Sequence, residues 1–251
     1  GGTVRKLNGR VQFASVGTTE KVPRTIELIA KGPSAHGSVP IATNAVGHLA
    51  RAVSAVSAWK PPIRLNETTR AYFERMIGVS SREDGARFRA LLGNDERARE
   101  EAAAYFEEHM PAYAAPLRTT VSPTMLQAGL RYNVIPSEAR ATLDVRLLPD
   151  DDPSALVETL RKVINDPIVE VTLAPRDGLP RPPGVSGIET DAFRMIQTAA
   201  AQNYDTVTIP QMGTGASDNA QMRSKGVQCY GVGPAVDAED APKGFGAHSD
   251  Q

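Results

Sequence analysis

Four histidines, one arginine at a strand end and one glycine-rich loop are the residues whose types and spacing could do chemistry. No two of His36, His48, His109 and His248 form the i, i+4 pair of a helical zinc site. His48 falls inside an apolar-periodic helix and His109 near the end of a charged one, where a structural or surface role is the simplest reading. His36 and His248 sit in small-residue segments, Ala35-His36-Gly37-Ser38 and Gly246-Ala247-His248-Ser249. Small neighbours leave room for a ligand to approach each ring. Taken alone, either residue is more often an ordinary loop histidine than a catalytic one.

Gly213-Thr214-Gly215-Ala216-Ser217-Asp218 is a glycine-rich loop opening a helix. Such a loop offers backbone N–H groups to an anion or a carbonyl oxygen. It is not a phosphate-binding loop, because no Gly-Lys-Ser/Thr follows. A tight strand-to-helix connection capped by Ser217 or Asp218 explains the loop as well. Arg146 ends an alternating strand. An arginine there can bind a carboxylate through two parallel hydrogen bonds, or form a surface ion pair with a neighbour such as Asp144. Cys229 is the single cysteine, so an intramolecular disulfide or a cysteine-based zinc knuckle is excluded. It lies in the apolar run 227–232 and reads as a buried strand residue.

The elements that must position these groups follow from periodicity. Thr25–Ala30 alternates as a half-buried strand, and Ala42–Trp59 carries Val46, Leu49, Ala50, Val53 and Val56 at helical spacing, stopped by Pro61-Pro62. Helices are predicted around Thr68–Met76, Ser81–Leu92 and Asp95–His109, with charged residues on solvated faces. Extended segments follow at 119–122, 124–128 and 139–147, then a helix at 154–164 and a strand at 168–173. With the helices at about 67–113 set aside, the order from Thr25 to Ala174 is strand, helix, strand, strand, helix, strand. That is the ferredoxin-like unit, a four-stranded antiparallel sheet with two helices on one face. The stretch 175–187 is rich in proline and glycine and reads as a linker. Beyond it a helix at 189–202, a strand at 207–209, a short helix at 218–224 and a strand at 227–232 alternate as in a parallel α/β sheet.

Bulk properties narrow the classes. A chain of 251 residues holds one large or two modest domains, and 41% apolar with 23% charged residues is ordinary globular composition. A formal net charge of -1 gives no field favouring nucleic acid or an anionic membrane. No run of about 18 apolar residues suits a bilayer, and no charged-then-apolar leader is visible. The compartment is left open. Both ends look abrupt, so a fragment of a longer protein is expected.

Five ordered blocks resemble one family. They are Gly32–Pro40 (Gly-Pro-Ser-Ala-His-Gly-Ser-Val-Pro) with Asn44-Ala45; Asn133-Val134-Ile135-Pro136; Asp144–Pro149; Gly215-Ala216-Ser217-Asp218; and Gly231-Val232-Gly233-Pro234 with Ala247-His248-Ser249-Asp250. The chain is similar to the zinc-dependent exopeptidases that include glutamate carboxypeptidase, aminoacylase, carboxypeptidase S and succinyl-diaminopimelate desuccinylase. Leu65–Arg70 and the helices after it resemble the carboxypeptidase S-like branch.

The resemblance implies an incomplete α/β catalytic domain (residues 1–21 and 175–251) carrying a ferredoxin-like lid or dimerisation domain (22–174) with the helical insertion inside it. It implies two zinc ions in the whole enzyme, with cobalt or manganese as alternatives. Metal-activated water would cleave a small peptide or N-acyl amino acid at an amide beside a free carboxylate. By the same resemblance His248 is a metal ligand and His36 polarises the scissile carbonyl, commonly in the partner subunit's site of a homodimer. Asn133 and Arg146 hold the substrate, Arg146 by its carboxylate, and Gly215 lies near that carboxylate. The family's remaining metal ligands and its general-base glutamate are not in this sequence, so this chain by itself is expected to be inactive and to bind little or no zinc. Two other readings compete: a non-enzymatic ferredoxin-like module for dimerisation or small-molecule binding, and a Ser-His-Asp hydrolase. The second lacks a Gly-x-Ser-x-Gly elbow.

Overall fold

The computed structural model describes residues 1–175, 182–233 and 235–237. In chain order the elements are β1 (Val4–Leu7), β2 (Arg10–Glu20), β3 (Val22–Lys31), β4 (Ala35–His36), α1 (Ala45–Ala58), α2 (Glu67–Met76), α3 (Arg82–Leu92), α4 (Glu96–His109), α5 (Pro111–Ala114), β5 (Thr120–Ala128), β6 (Val134–Ile135), β7 (Glu138–Leu147), α6 (Pro153–Ile164), β8 (Val169–Leu173), α7 (Asp191–Tyr204), β9 (Thr208–Gly213), α8 (Asn219–Arg223) and β10 (Ala235–Asp237). They divide into two compact units. The first comprises Gly1–Lys21, Ile63–Arg118 and Arg181–Gln251, the second Val22–Pro62 and Thr119–Pro180.

The second unit is the expected ferredoxin-like arrangement. Its sheet has the order β5-β7-β3-β8 with every pairing antiparallel. Period-two alternation in β7 sends Ala139, Ala141, Leu143, Val145 and Leu147 into the core. There they meet Leu49, Ala52 and Val56 of α1 and Val157, Leu160 and Ile164 of α6. Each fully buried large aliphatic side chain contributes about 1.5–3 kcal/mol, which makes this face the main stabilising feature of the unit. Helix α1 begins later than periodicity suggests because the Asn44 side chain caps it, accepting from the Val46 N–H. Helix α6 opens with Asp152 as cap and Pro153 at its first turn, and ends on Asn165 in the left-handed region. The two extended segments expected at 119–128 are one strand, β5, whose register shifts between Pro123 and Met125. Proline has no N–H to give the ladder, so the shift falls where a bulge is cheapest.

The first unit differs from expectation in three ways. Periodicity predicts no strand before Thr25, yet β1 and β2 form a hairpin. Its turn is Asn8-Gly9 with φ of 51° and 72°, both positive as a type I′ turn requires. The sheet, ordered β10-β1-β2-β9, is therefore mixed rather than parallel: β1–β10 and β2–β9 run parallel, β1–β2 antiparallel.

The helices α2–α5, expected as an insertion within the lid, belong instead to this unit. Phe73, Met76, Phe88, Leu91, Phe106 and Leu117 bury together with Ile209 of β9, so their apolar faces are satisfied there. The Arg75 guanidinium also donates to the Thr208 carbonyl at 2.8 Å.

Finally, 227–232 is not a strand; only Gly231 bridges to Gly17. Cys229 is half-buried, its carbonyl accepting from Arg223 Nη2 (2.8 Å) and Ser186 Oγ (2.9 Å) and its N–H donating to Ser186 Oγ (2.9 Å). Side chains have taken the backbone groups that a ladder would need. Among the described residues, no helix is long and apolar enough to cross a membrane.

Candidate functional site

His36 and Asn133 are brought together. The two-residue strands β4 and β6 pair so that His36 faces Val134, and the Gly37 N–H donates to the Asn133 carbonyl at 2.7 Å. A Cβ on Gly37 would come within 3.3 Å of that carbonyl, so the close approach suits glycine. The His36 Nδ1 accepts the Ser38 N–H at 3.2 Å and lies 2.7 Å from Ser38 Oγ. A nitrogen that accepts an N–H carries no proton, so the neutral ring holds its proton on Nε2. That assigned tautomer makes Nε2 a hydrogen-bond donor on an exposed ring.

Arg146 lies at the other end of the same unit. It sits opposite Pro23 near the end of β7, whereas β7 begins at Glu138 opposite Lys31. Eight strand residues span about 27 Å at about 3.4 Å each, and His36 and Asn133 lie beyond the Glu138 end. The open face of the sheet carries Thr25, Glu27, Thr142, Asp144 and Arg146 around a concavity of about 730 Å³. Within it Arg146 donates through Nε to Asp144 Oδ1 at 2.6 Å and through Nη2 to Oδ2 at 2.8 Å. These bonds hold the Asp144 carboxyl below its ordinary range and raise the Arg146 guanidinium above its own. Both alternatives for Arg146 are therefore physically compatible. The ion pair uses the Nε edge of the fork, and the Nη1–Nη2 end still has donors to offer.

Gly215 belongs to the first unit, at the apex of the loop between β9 and α8, with open space around its Cα. Glu20, at the end of β2, ties that loop down: its carboxylate accepts from the Ser217 N–H at 2.8 Å and from Ser217 Oγ at 2.5 Å. Arg223 Nη1 lies 3.7 Å from the same carboxylate. Motif and spacing do not single out Glu20. Its one local signal is an acidic residue closing an otherwise apolar and threonine-rich strand.

The matching family model is the peptidase dimerisation domain, over residues 19–172. The chain belongs to the M20 peptidase family. It is 32% identical over 197 residues to probable carboxypeptidase S-like 2 of Dictyostelium discoideum, covering 78% of this chain and 36% of that protein. It is 28% identical over 215 residues to the N-fatty-acyl-amino acid synthase/hydrolase of Homo sapiens, covering 84% and 42%. This M20 chain thus spans well under half the length of these curated relatives. Its fold matches the crystal structure of an M20 family metallo-carboxypeptidase from Sulfolobus solfataricus with a TM-score of 0.56 and 17% identity, over 91% of this chain and 55% of that one.

No group of three or more His, Cys, Asp or Glu among the described residues of this M20 chain could hold a metal ion. His248 lies outside the described residues. The described residues therefore do not fit a metal centre. His48 and His109 have structural surroundings: His48 Nδ1 pairs with Asp166 at 2.5 Å, and the His109 ring packs on Tyr105.

Proposed function

We propose that this chain is the substrate-handling part of a longer, metal-dependent M20 hydrolase that cleaves an amide beside a free carboxylate in small peptides or N-acyl amino acids. The observation that carries the proposal is the free end of the Arg146 fork, held in place by Asp144 in an open concavity. A planar guanidinium with its Nε edge already fixed offers a preorganised two-point dock for a terminal carboxylate. In this reading the second unit is the lid and the first is part of the catalytic domain, where Gly215 offers backbone donors to the substrate.

His36 cannot serve the substrate docked on Arg146 of its own chain, because the sheet separates them by about 27 Å. A symmetric pair of chains resolves this, with His36 and Asn133 reaching the partner's site. The edge strand β5 and the apolar residues Met125, Leu126, Leu130 and Tyr132, all more than half exposed, support self-association at that end. There, Nε2–H of His36 would donate to the carbonyl oxygen as negative charge develops on it.

The same separation is what a purely associative or ligand-binding module would show. Hydrolysis decides between them. The full-length protein, supplied with zinc, cobalt or manganese, is assayed on N-acyl amino acids, dipeptides and their carboxamide analogues. Metal-dependent cleavage that strongly favours substrates with a free carboxylate over their slowly cleaved carboxamide analogues is expected; cleavage of none of them sinks the enzymatic reading.

A further inference from the structure

The loop Gly213–Asp218 is closed at both ends on one residue. At its start, Gly213 pairs with Glu20 in the β2–β9 ladder, and the Lys21 N–H donates to the Gly213 carbonyl at 2.8 Å. At its far end, Ser217 donates both its N–H and its hydroxyl to the Glu20 carboxylate. Glu20 is itself 9% exposed, so water competes little for its oxygens. Behind it stands Arg223, 7% exposed, whose guanidinium is fixed by the carbonyls of Cys229 (2.8 Å) and Gly17 (3.3 Å) and by Ser186 Oγ (3.3 Å). Its buried Nη1 makes no hydrogen bond among the described residues and lies 3.7 Å from Glu20 Oε2. The arginine cannot swing away without breaking those contacts, so it acts as a fixed positive charge facing the carboxylate.

We propose that Glu20 is a positioning residue that sets where the Gly215 backbone meets the substrate. The role given to Gly215 rests on the function proposed above; the mechanical claim about the loop does not. With both loop ends held, Thr214, Gly215 and Ala216 have little freedom, and an amide at the apex is presented at one place. A buried ionised acceptor with two donors from a single residue is suited to this, since charge-assisted hydrogen bonds are about twice as strong as neutral ones. Without Glu20, the β2–β9 ladder would still form through backbone groups alone, but Ser217 would lose both of its hydrogen bonds to that carboxylate.

The test uses Glu20→Ala, Glu20→Gln and Ser217→Ala. Hydrogen exchange on this chain should show the amides of 214–218 exchanging about tenfold faster in Glu20→Ala, with the β2–β9 ladder unchanged. Glu20→Gln, which keeps an oxygen for the Ser217 N–H, should recover most of the protection, and Ser217→Ala should lose only part. In the full-length protein, Glu20→Ala should raise KM for a carboxylate-bearing substrate about tenfold while kcat changes less than about twofold. Unchanged loop exchange overturns the proposal. So does equal loss of protection in loop and ladder, which would make Glu20 a folding residue only, or a fall in kcat with KM unmoved. If the wild-type protein hydrolyses nothing, the functional reading fails, and the exchange results alone uphold or overturn the claim about the loop.

Discussion

Arg146 holds Asp144 two residues earlier on the same face of β7 through two parallel hydrogen bonds, of 2.6 and 2.8 Å. The pair fixes the guanidinium plane by one edge and leaves its end facing the open side of the sheet. A surface ion pair and a carboxylate clamp would ordinarily be rival readings of one arginine; here the geometry of the first is compatible with the second.

Arg146→Ala in the full-length protein should lower kcat/KM on carboxylate substrates at least tenfold, about 1.4 kcal/mol, and leave carboxamide analogues nearly unaffected. Arg146→Lys keeps the charge without the fork and should fall between wild type and alanine. Steady-state kinetics on matched substrate pairs checks this, and equal losses on both members would remove the clamp.

The separation of His36 from Arg146 makes complementation possible. His36→Ala and Arg146→Ala should each be nearly inactive alone, yet an equal, re-equilibrated mixture should recover about a quarter of wild-type activity. Half of randomly paired dimers are mixed, and each mixed dimer has one unmutated site of two. A mixture that stays as inactive as its components argues against sites shared across the dimer.

Because Arg146 lowers the Asp144 carboxyl, the folded chain takes up that proton less readily than the unfolded chain. The pair's contribution is thus fully present above the ordinary carboxylate value of about 4 and is lost as pH falls through the lower folded value. Both side chains are partly exposed, 33% and 40%, so the contribution is about 0.2–1 kcal/mol. Urea denaturation of wild type and Asp144→Asn should differ by a constant amount above pH of about 5 and converge on further acidification. A gap that widens in acid contradicts this.

The helices α2–α5 have their own core, in which Phe88 stacks on Phe106 with centroids 4.9 Å apart and packs on Phe73 and Tyr113. Phe88→Ala should cost about 3–5 kcal/mol, read as a shift in the urea midpoint. Because this core includes Ile209 of β9, the loss should appear in hydrogen exchange of β9 and leave β7 largely protected. Destabilisation confined to the ferredoxin-like sheet would place these helices in the wrong unit.

The ferredoxin-like unit is legible in the sequence because its signals are local. Alternation in 139–147 and the apolar stripes of α1 and α6 each fix one buried face, and strand order follows from how few ways such faces can close. The Asn8-Gly9 hairpin is equally local and open to the same reading. Two other features are decided by distant partners. Helical periodicity names the face of α2 that must be buried but not the surface that buries it. The apolar run 227–232 gives no sign that Arg223 and Ser186 will claim the backbone of Cys229.

The candidate site divides in the same way. The sequence alone determined which residues could act, because His36, Asn133, Arg146 and Gly215 stand in blocks whose residue types match one family. Only the tertiary structure decided how they are distributed. It joined His36 to Asn133 through a two-residue ribbon and set Arg146 at the far end of the sheet. It also placed Glu20 against Ser217, 197 positions away in sequence. Contacts of that separation depend on chain crossings that no local pattern encodes.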